Sequence, residues 1–431
     1  MLPSLALGVL LGTGTALATV TCSANSKCPK STPCCSTYGE CGVGAYCLGG
    51  CDPTMSYSLD SCMPAPVCKD RTLTMDSLDR VSDVGDYLGN STEADWMSSG
   101  EPVLYNGNTL LTMAKDTSGT VLSSTVYMWY GNVKARLKTS RGAGVVTAFI
   151  LFSDVKDEID FEFIGVDLET AQTNYYFQGI TTYPTHASNL TMSNSYTTFH
   201  DYEIRWTPDK VEWYIDDVLG RTLNKEDTWN ETTQNFDFPQ TPARVQLSLW
   251  PGGLSTNAAG TIAWAGGEID WESDDITNYG YDFATFSEVV MECYNATSAP
   301  GTNSGTSYTY DSTRATNDTV VDGDEATILS SFQATGLNPK KGAKSSSESA
   351  TVPGGSTSGN DHSSDSDSSS ESSSGSSASS TSTASSSVDA ADCKATSFSQ
   401  ECSSSSTTSS AARTSVGIQF LLVAGSALYW L

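Results

Sequence analysis

From about Asp70 to Tyr294 apolar and polar residues alternate with a period of two, the mark of half-buried strands. TVYMWYGNVKARLKT, VVTAFILFS, NYYFQG, HDYEIRWTPDKVEWYIDDVLG and ARVQLSLWPGG are rich in β-branched and aromatic residues, and Gly, Asn, Asp and Pro turns separate them. TPDK between two aromatic-rich runs reads as a hairpin turn. Helical periodicity nowhere lasts long enough to build a layer. About 225 residues of such a pattern predict one all-β domain rather than two, and a sandwich is the best architecture for it.

One stretch carries more than fold. In DEIDFEFIG, Asp157 to Gly165, a strand sends Glu158, Asp160 and Glu162 to one face and Ile159, Phe161 and Phe163 to the other. The chain already has a net charge of −28, and no Lys or Arg stands among these carboxylates. Retaining glycosidases need two carboxyl groups about 5–5.5 Å apart, one nucleophile and one acid/base. Positions i and i+4 of a strand lie roughly 13 Å apart along the backbone. Glu158 and Glu162 meet the requirement by leaning together over a shared sugar on a concave face. Asp160, shorter and between them, would orient the nucleophile and raise the acid's pKa by like charge. GGEIDWES repeats the alternation with Glu268, Asp270 and Glu272, and composition does not choose between the two.

ARVQLSLWPGG puts Val245, Leu247 and Leu249 on one face and Arg244, Gln246, Ser248 and Trp250 on the other. A polar face ending in Trp suits a sugar: hydrogen bonds and one stacking platform. Trp250 reads equally as core. Trp206, Trp213 and Trp264 are read as core.

The ends bear on compartment. Met1 to Ala18 is a short apolar run closed by Ala16-Leu17-Ala18, expected to be a signal peptide. Residues 416–431 form an apolar tail behind a Ser/Thr/Ala spacer, the order of a glycosylphosphatidylinositol (GPI) anchor signal, with the ω residue between Ser403 and Ser410. Either run is short for a bilayer span. Five sequons, at Asn90, Asn189, Asn230, Asn295 and Asn317, fit the secretory route. Nine of the twelve cysteines lie between Cys22 and Cys68, a disulfide framework for an oxidising compartment. Nine cannot all pair locally, so Cys293 is expected to tie the far end of the β-domain back to this segment. The only histidines are His186, His200 and His362, with no zinc spacing, and no metal or cofactor is expected. An acidic chain argues against nucleic acid and for a neutral polysaccharide partner. The expected division is residues 1–18 signal, 19–68 cysteine-rich module, 69–294 β-domain, 295–415 Ser/Thr-rich stalk interrupted by Cys393 and Cys402, and 416–431 anchor signal.

CCSTYGECGVGAYCLGGC resembles the hevein-type chitin-binding module. The resemblance places Ser36, Tyr38 and Tyr46 at sugar-contacting positions, with Glu40 where a second aromatic usually stands. A purely structural disulfide knot is the alternative. DEIDFEFIG resembles the E-I-D-x-E signature of glycoside hydrolase family 16. SYSLDSCMPAPVCK, TNYYFQG, FHDYEIRWTPDKVEWYIDD, LWPGG and NAAGTIAWAGG, together with the cysteine-rich start, stalk and anchor, resemble the Utr2-like branch of the fungal Crh family of chitin–glucan transglycosylases. That resemblance implies a β-jelly-roll with its cleft across the concave sheet. It also implies Glu158 as nucleophile, Glu162 as proton donor and Asp160 as assisting carboxylate. Gln246, Trp250, Thr261, Asn174 and Gln178 become chitin contacts beside Glu162, and GGEIDWES falls where the family places no catalytic carboxylate. The expected activity is cleavage of β-1,4-linked chitin and transfer to β-glucan, at the outer face of the plasma membrane or in the cell wall. Hydrolysis by a β-glucanase or chitinase, and a non-catalytic wall lectin, remain alternatives.

Overall fold

The computed structural model describes residues 20–181, 186–343 and 350–354. The expected signal peptide, anchor tail and ω site, His362, Cys393 and Cys402 lie outside the described residues.

Two eight-stranded, almost wholly antiparallel sheets stack as a jelly-roll sandwich. One sheet runs in the order Ser188–Thr191, Thr170–Tyr176, Glu158–Ile164, Val145–Ser153, Ala243–Pro251, Thr120–Ser124, Trp96–Ser99 and Val81–Asp83. The other centres on Gly131–Lys138, between His200–Trp206 and the thirteen-residue strand Tyr281–Cys293. Lys210–Ile215 continues the second sheet through the TPDK hairpin, where Thr207 donates its N–H to the Lys210 carbonyl at 2.9 Å.

The inward faces of the strands supply the core. Phe149, Phe161, Phe163, Tyr202, Trp206 and Trp213 are all buried there, as the alternation requires. Phe161 stacks between Phe149 and Phe163, and Tyr202 meets it edge-on from the opposite sheet. Trp213, from the second sheet, donates its indole N–H to the Asp160 carbonyl at 3.0 Å, so the two sheets are tied directly behind the carboxylate strand.

The cysteine-rich module is held by Cys22–Cys35, Cys28–Cys41, Cys34–Cys47 and Cys51–Cys62. Cys293 ties back to this segment as expected, and its partner is Cys68. The module packs on the sandwich through Leu48, Met63, Tyr87 and Ala94.

The stalk does not begin at residue 295. Ser307–Tyr310 pairs with Val320–Gly323 and with Ala65–Pro66 in a third sheet. Tyr308 sits in the main core against Trp129, and Leu329 and Ala334 bury against the cysteine-rich module. This extension has few apolar residues, and Tyr308, Val320, Leu329 and Ala334 among them are buried. Polar anchors do the rest: Asp322 accepts from the backbone of Ser304 and Gly305.

Candidate active site

In an antiparallel ladder, residues directly opposite one another share a face. The register therefore lays out the outer face of the first sheet as rows running across the strands. One row is Tyr176, Glu158, Phe152, Arg244; the next is Asn174, Asp160, Ile150, Gln246, Ser123, Met97. A third runs Gln172, Glu162, Ala148, Ser248, Val121, Ser99, and Val146 stands opposite Trp250 beyond it. The alternation that buries Phe161 on one side lifts Glu158, Asp160 and Glu162 to the other.

All three carboxylates are nonetheless buried, with Asp160 at 0% exposure and both glutamates at 4%. Oε1 of Glu158 and Oε1 of Glu162 have no hydrogen-bond partner among the described residues. Burial pushes the Glu158 carboxyl well above the ordinary range, and the Asp160 charge adds to it. Glu162 is pushed up by burial, then by Asp160, then by Glu158. Burial and the like charges crowded on this face thus raise both glutamates together.

The start of the strand is fixed by Asp157, whose carboxylate accepts from Gln178 N, Gln240 N, Thr241 N and the Thr241 hydroxyl at 2.6–3.0 Å. Burial still pushes this carboxyl up to about 6. Arg221 reaches from the second sheet to the Thr173 carbonyl at 2.7 Å and lies over the Trp213 ring, steadying the neighbouring strand.

Asn174 is buried in the Asp160 row and donates to the Tyr176 hydroxyl at 2.9 Å. Gln246 and Trp250 lie on the same face, and Thr261 is buried on the short helix Ala259–Trp264. Gln178 does not join them. It ends the strand in a left-handed turn (φ 50°), and its side-chain amide donates to the carbonyls of Arg314 and Ala315. Glu268, Asp270 and Glu272 lie in an exposed loop, and Glu272 pairs with Lys115, so the second acidic repeat builds no site.

Trp206 and Trp213 are core, but Trp264 is not. It is half-buried on the cleft side, stacks on Trp250 and donates its indole N–H to Gln172 Oε1 at 2.8 Å. Gln172 stands directly opposite Glu162. Both residues are missing from the sequence-based site. The alternation of TAQTNYY places Gln172 beside Asn174, whereas Trp264 sits on a six-residue helix too short to show a face.

Residues 90–266 match the model for glycosyl hydrolases family 16. The chain is 61% identical over 321 residues to Crh-like protein 3 of Botryotinia fuckeliana, covering 74% of this chain and 72% of that protein. It is 47% identical over 331 residues to Congo red hypersensitive protein 2 of Saccharomyces cerevisiae, covering 76% of this chain and 70% of that one. Among solved structures it is similar to the Crh5 transglycosylase in complex with NAG, at 28% identity and a TM-score of 0.51, over 63% of this chain and 99% of that one. With the carboxylate rows of this sandwich, these likenesses place the chain among the Crh-like proteins of glycosyl hydrolases family 16.

Proposed function

We propose that the chain is a retaining transglycosylase that cleaves β-1,4-linked chitin and passes it to β-glucan. The observation that carries this is the crowding of two buried glutamates, with Asp160 between them, on one face of a single strand. Glu162, the acid by resemblance to the E-I-D-x-E motif and raised by burial and like charge, keeps its proton and delivers it to the departing glycosidic oxygen. Glu158 attacks the anomeric carbon from the other side of the bond and holds the donor as a glycosyl ester. Asp160, between them, orients Glu158, and its charge helps hold the proton on Glu162 until the glycosidic oxygen takes it. Glu162, now a carboxylate, takes the proton of the acceptor hydroxyl, and the ester is displaced. Asn174, Gln246, Trp250 and Thr261 bind the sugars around this centre. Family membership and the similarity to the Crh5 transglycosylase support a sugar hydroxyl as acceptor over water.

The five disulfides support an oxidising compartment, and with the terminal segments we place the protein outside the cell, anchored through lipid to the membrane or bound in the wall. Incubation with chitin oligosaccharides and a labelled glucan tests the activity. A labelled conjugate is expected; shortened oligosaccharides with no conjugate would make the enzyme a hydrolase.

A further inference from the structure

The cysteine-rich module does not hang free of the sandwich. The Gly50 N–H donates to Asp154 Oδ1 at 2.8 Å, and the Tyr127 hydroxyl donates to the same oxygen at 2.7 Å. Arg244 runs beneath Gly49 and Gly50, so close that a Cβ on Gly49 would lie 2.5 Å from its guanidinium. The module is thereby docked over the outer end of the carboxylate-bearing sheet, and a groove open to solvent remains between the two. Tyr38 and Tyr46 line it from the module, and Phe152, Arg244 and Gln246 from the sheet.

Those sheet residues belong to the rows already described. Phe152 stands directly opposite Glu158, and Gln246 lies two strands from Asp160, roughly 10 Å at ordinary strand spacing. Each strand step is comparable to one sugar ring. A saccharide lying across the strands from Glu158 and Glu162 therefore runs into the groove. The groove is chemically prepared for it. Arg244 is 5% exposed, and its Nε has no hydrogen-bond partner among the described residues. On the module side the Tyr46 hydroxyl donates to the Val352 carbonyl at 3.0 Å, and Glu40 accepts the Gly354 N–H at 2.8 Å. Peptide groups of residues 352–354 thus show what the wall recognises: one carbonyl and one N–H, the two polar ends of an N-acetyl group.

We infer that the cysteine-rich module and the catalytic sheet together form one saccharide subsite, between Tyr38, Glu40 and Tyr46 on one wall and Phe152, Arg244 and Gln246 on the other, which grips the distal N-acetylglucosamine units of a chitin chain whose other end lies over Glu158 and Glu162. The module is then a part of the cleft rather than a separate tether to insoluble chitin. This rests on the reading of the cleft as chitin-processing. A chain that fills the groove displaces the Val352–Gly354 segment.

The test uses the full chain carrying Glu158→Gln, so that binding is read without turnover. Calorimetry compares a long chito-oligosaccharide that spans from the carboxylates to the module with a short one that covers only the carboxylate rows. Tyr38→Ala, on the module wall, is expected to lower the ratio of long to short affinity about threefold to tenfold, the worth of one stacking contact. Val121→Trp narrows the cleft floor from the sheet side and is expected to lower the same ratio, while Tyr38→Phe restores it. A ratio unchanged in either of the first two variants, with melting temperature retained, overturns the composite subsite even if transfer activity stands. If neither oligosaccharide binds the Glu158→Gln chain and the native chain makes no conjugate, the chitin reading falls and takes this one with it.

Discussion

Trp264 lies on Trp250 with ring centroids 6.0 Å apart and planes 23° from parallel, and its indole N–H reaches the side chain opposite Glu162. The deeper ring is 4% exposed and shares its small cluster with Val146 and Ala265, on the cleft side of the sheet rather than in the main core. The outer ring is the more exposed of the two.

Trp264→Ala is expected to raise the concentration of chitin donor required while changing the melting temperature little. Trp250→Ala should impair both, since a buried Trp truncated to Ala costs about 3–5 kcal/mol of stability. Melting curves beside donor saturation curves check this. Equal loss of stability in the two variants would make the stack a purely structural unit.

Glu162→Gln is expected to lower turnover by about 10²–10⁴-fold, the usual worth of a positioned general acid. Glu158→Gln should be at least as damaging, because no covalent intermediate forms without it. Glu268→Gln, in the exposed loop, should leave most of the activity. Turnover measured alongside circular dichroism separates lost chemistry from lost fold.

Burial raises the carboxyls of Glu158 and Glu162, takes Asp154 and Asp157 up to about 6, and takes Asp282 up to about 7. A raised carboxyl binds its proton more tightly in the folded state than in the unfolded one. These groups therefore favour folding most below their unfolded pKa values near 4, and that contribution is lost as pH rises through the folded values. The expected outcome is a melting temperature that falls between about pH 4 and pH 7. A curve that rises across this window would contradict the protonation of the buried acids.

Cys68 and Cys293 are separated by 225 residues in sequence. On the chain-entropy account, closing such a loop restricts the unfolded chain by about 5 kcal/mol, an upper value. Replacing both with Ser is expected to lower stability by a large part of that, with donor affinity retained in the fraction that stays folded. Denaturant titration of the double variant measures it.

The carboxylate strand is legible in the sequence because a period of two leaves no freedom: once Ile159, Phe161 and Phe163 are core, Glu158, Asp160 and Glu162 share the other face. The same argument reaches Gln246 and Trp250. It stops where placement depends on long-range contact. Trp264 looks like any aromatic residue until the helix that carries it is folded over the sheet. Gln178 looks like a continuation of the Gln172, Asn174, Tyr176 face, but the strand turns at φ 50° and hands its amide to Arg314 and Ala315. The ordered extension beyond Tyr294 has the composition of a stalk. Its order comes from a few buried side chains such as Tyr308 and from backbone pairing with Ala65–Pro66, neither of which shows in hydrophobic density.

The Trp213 bond to the Asp160 carbonyl comes from the sheet opposite the carboxylate strand. It works as a rivet through the thickness of the sandwich, set at the middle of the strand that carries the three crowded carboxyls. The spacing of those carboxyls, and with it the acidity of the centre, is expected to follow how tightly the two sheets are clamped. Loosening the interior by heat should shift the pH dependence of turnover before the protein melts, and Trp213→Phe should produce that shift at a temperature where the native chain does not show it.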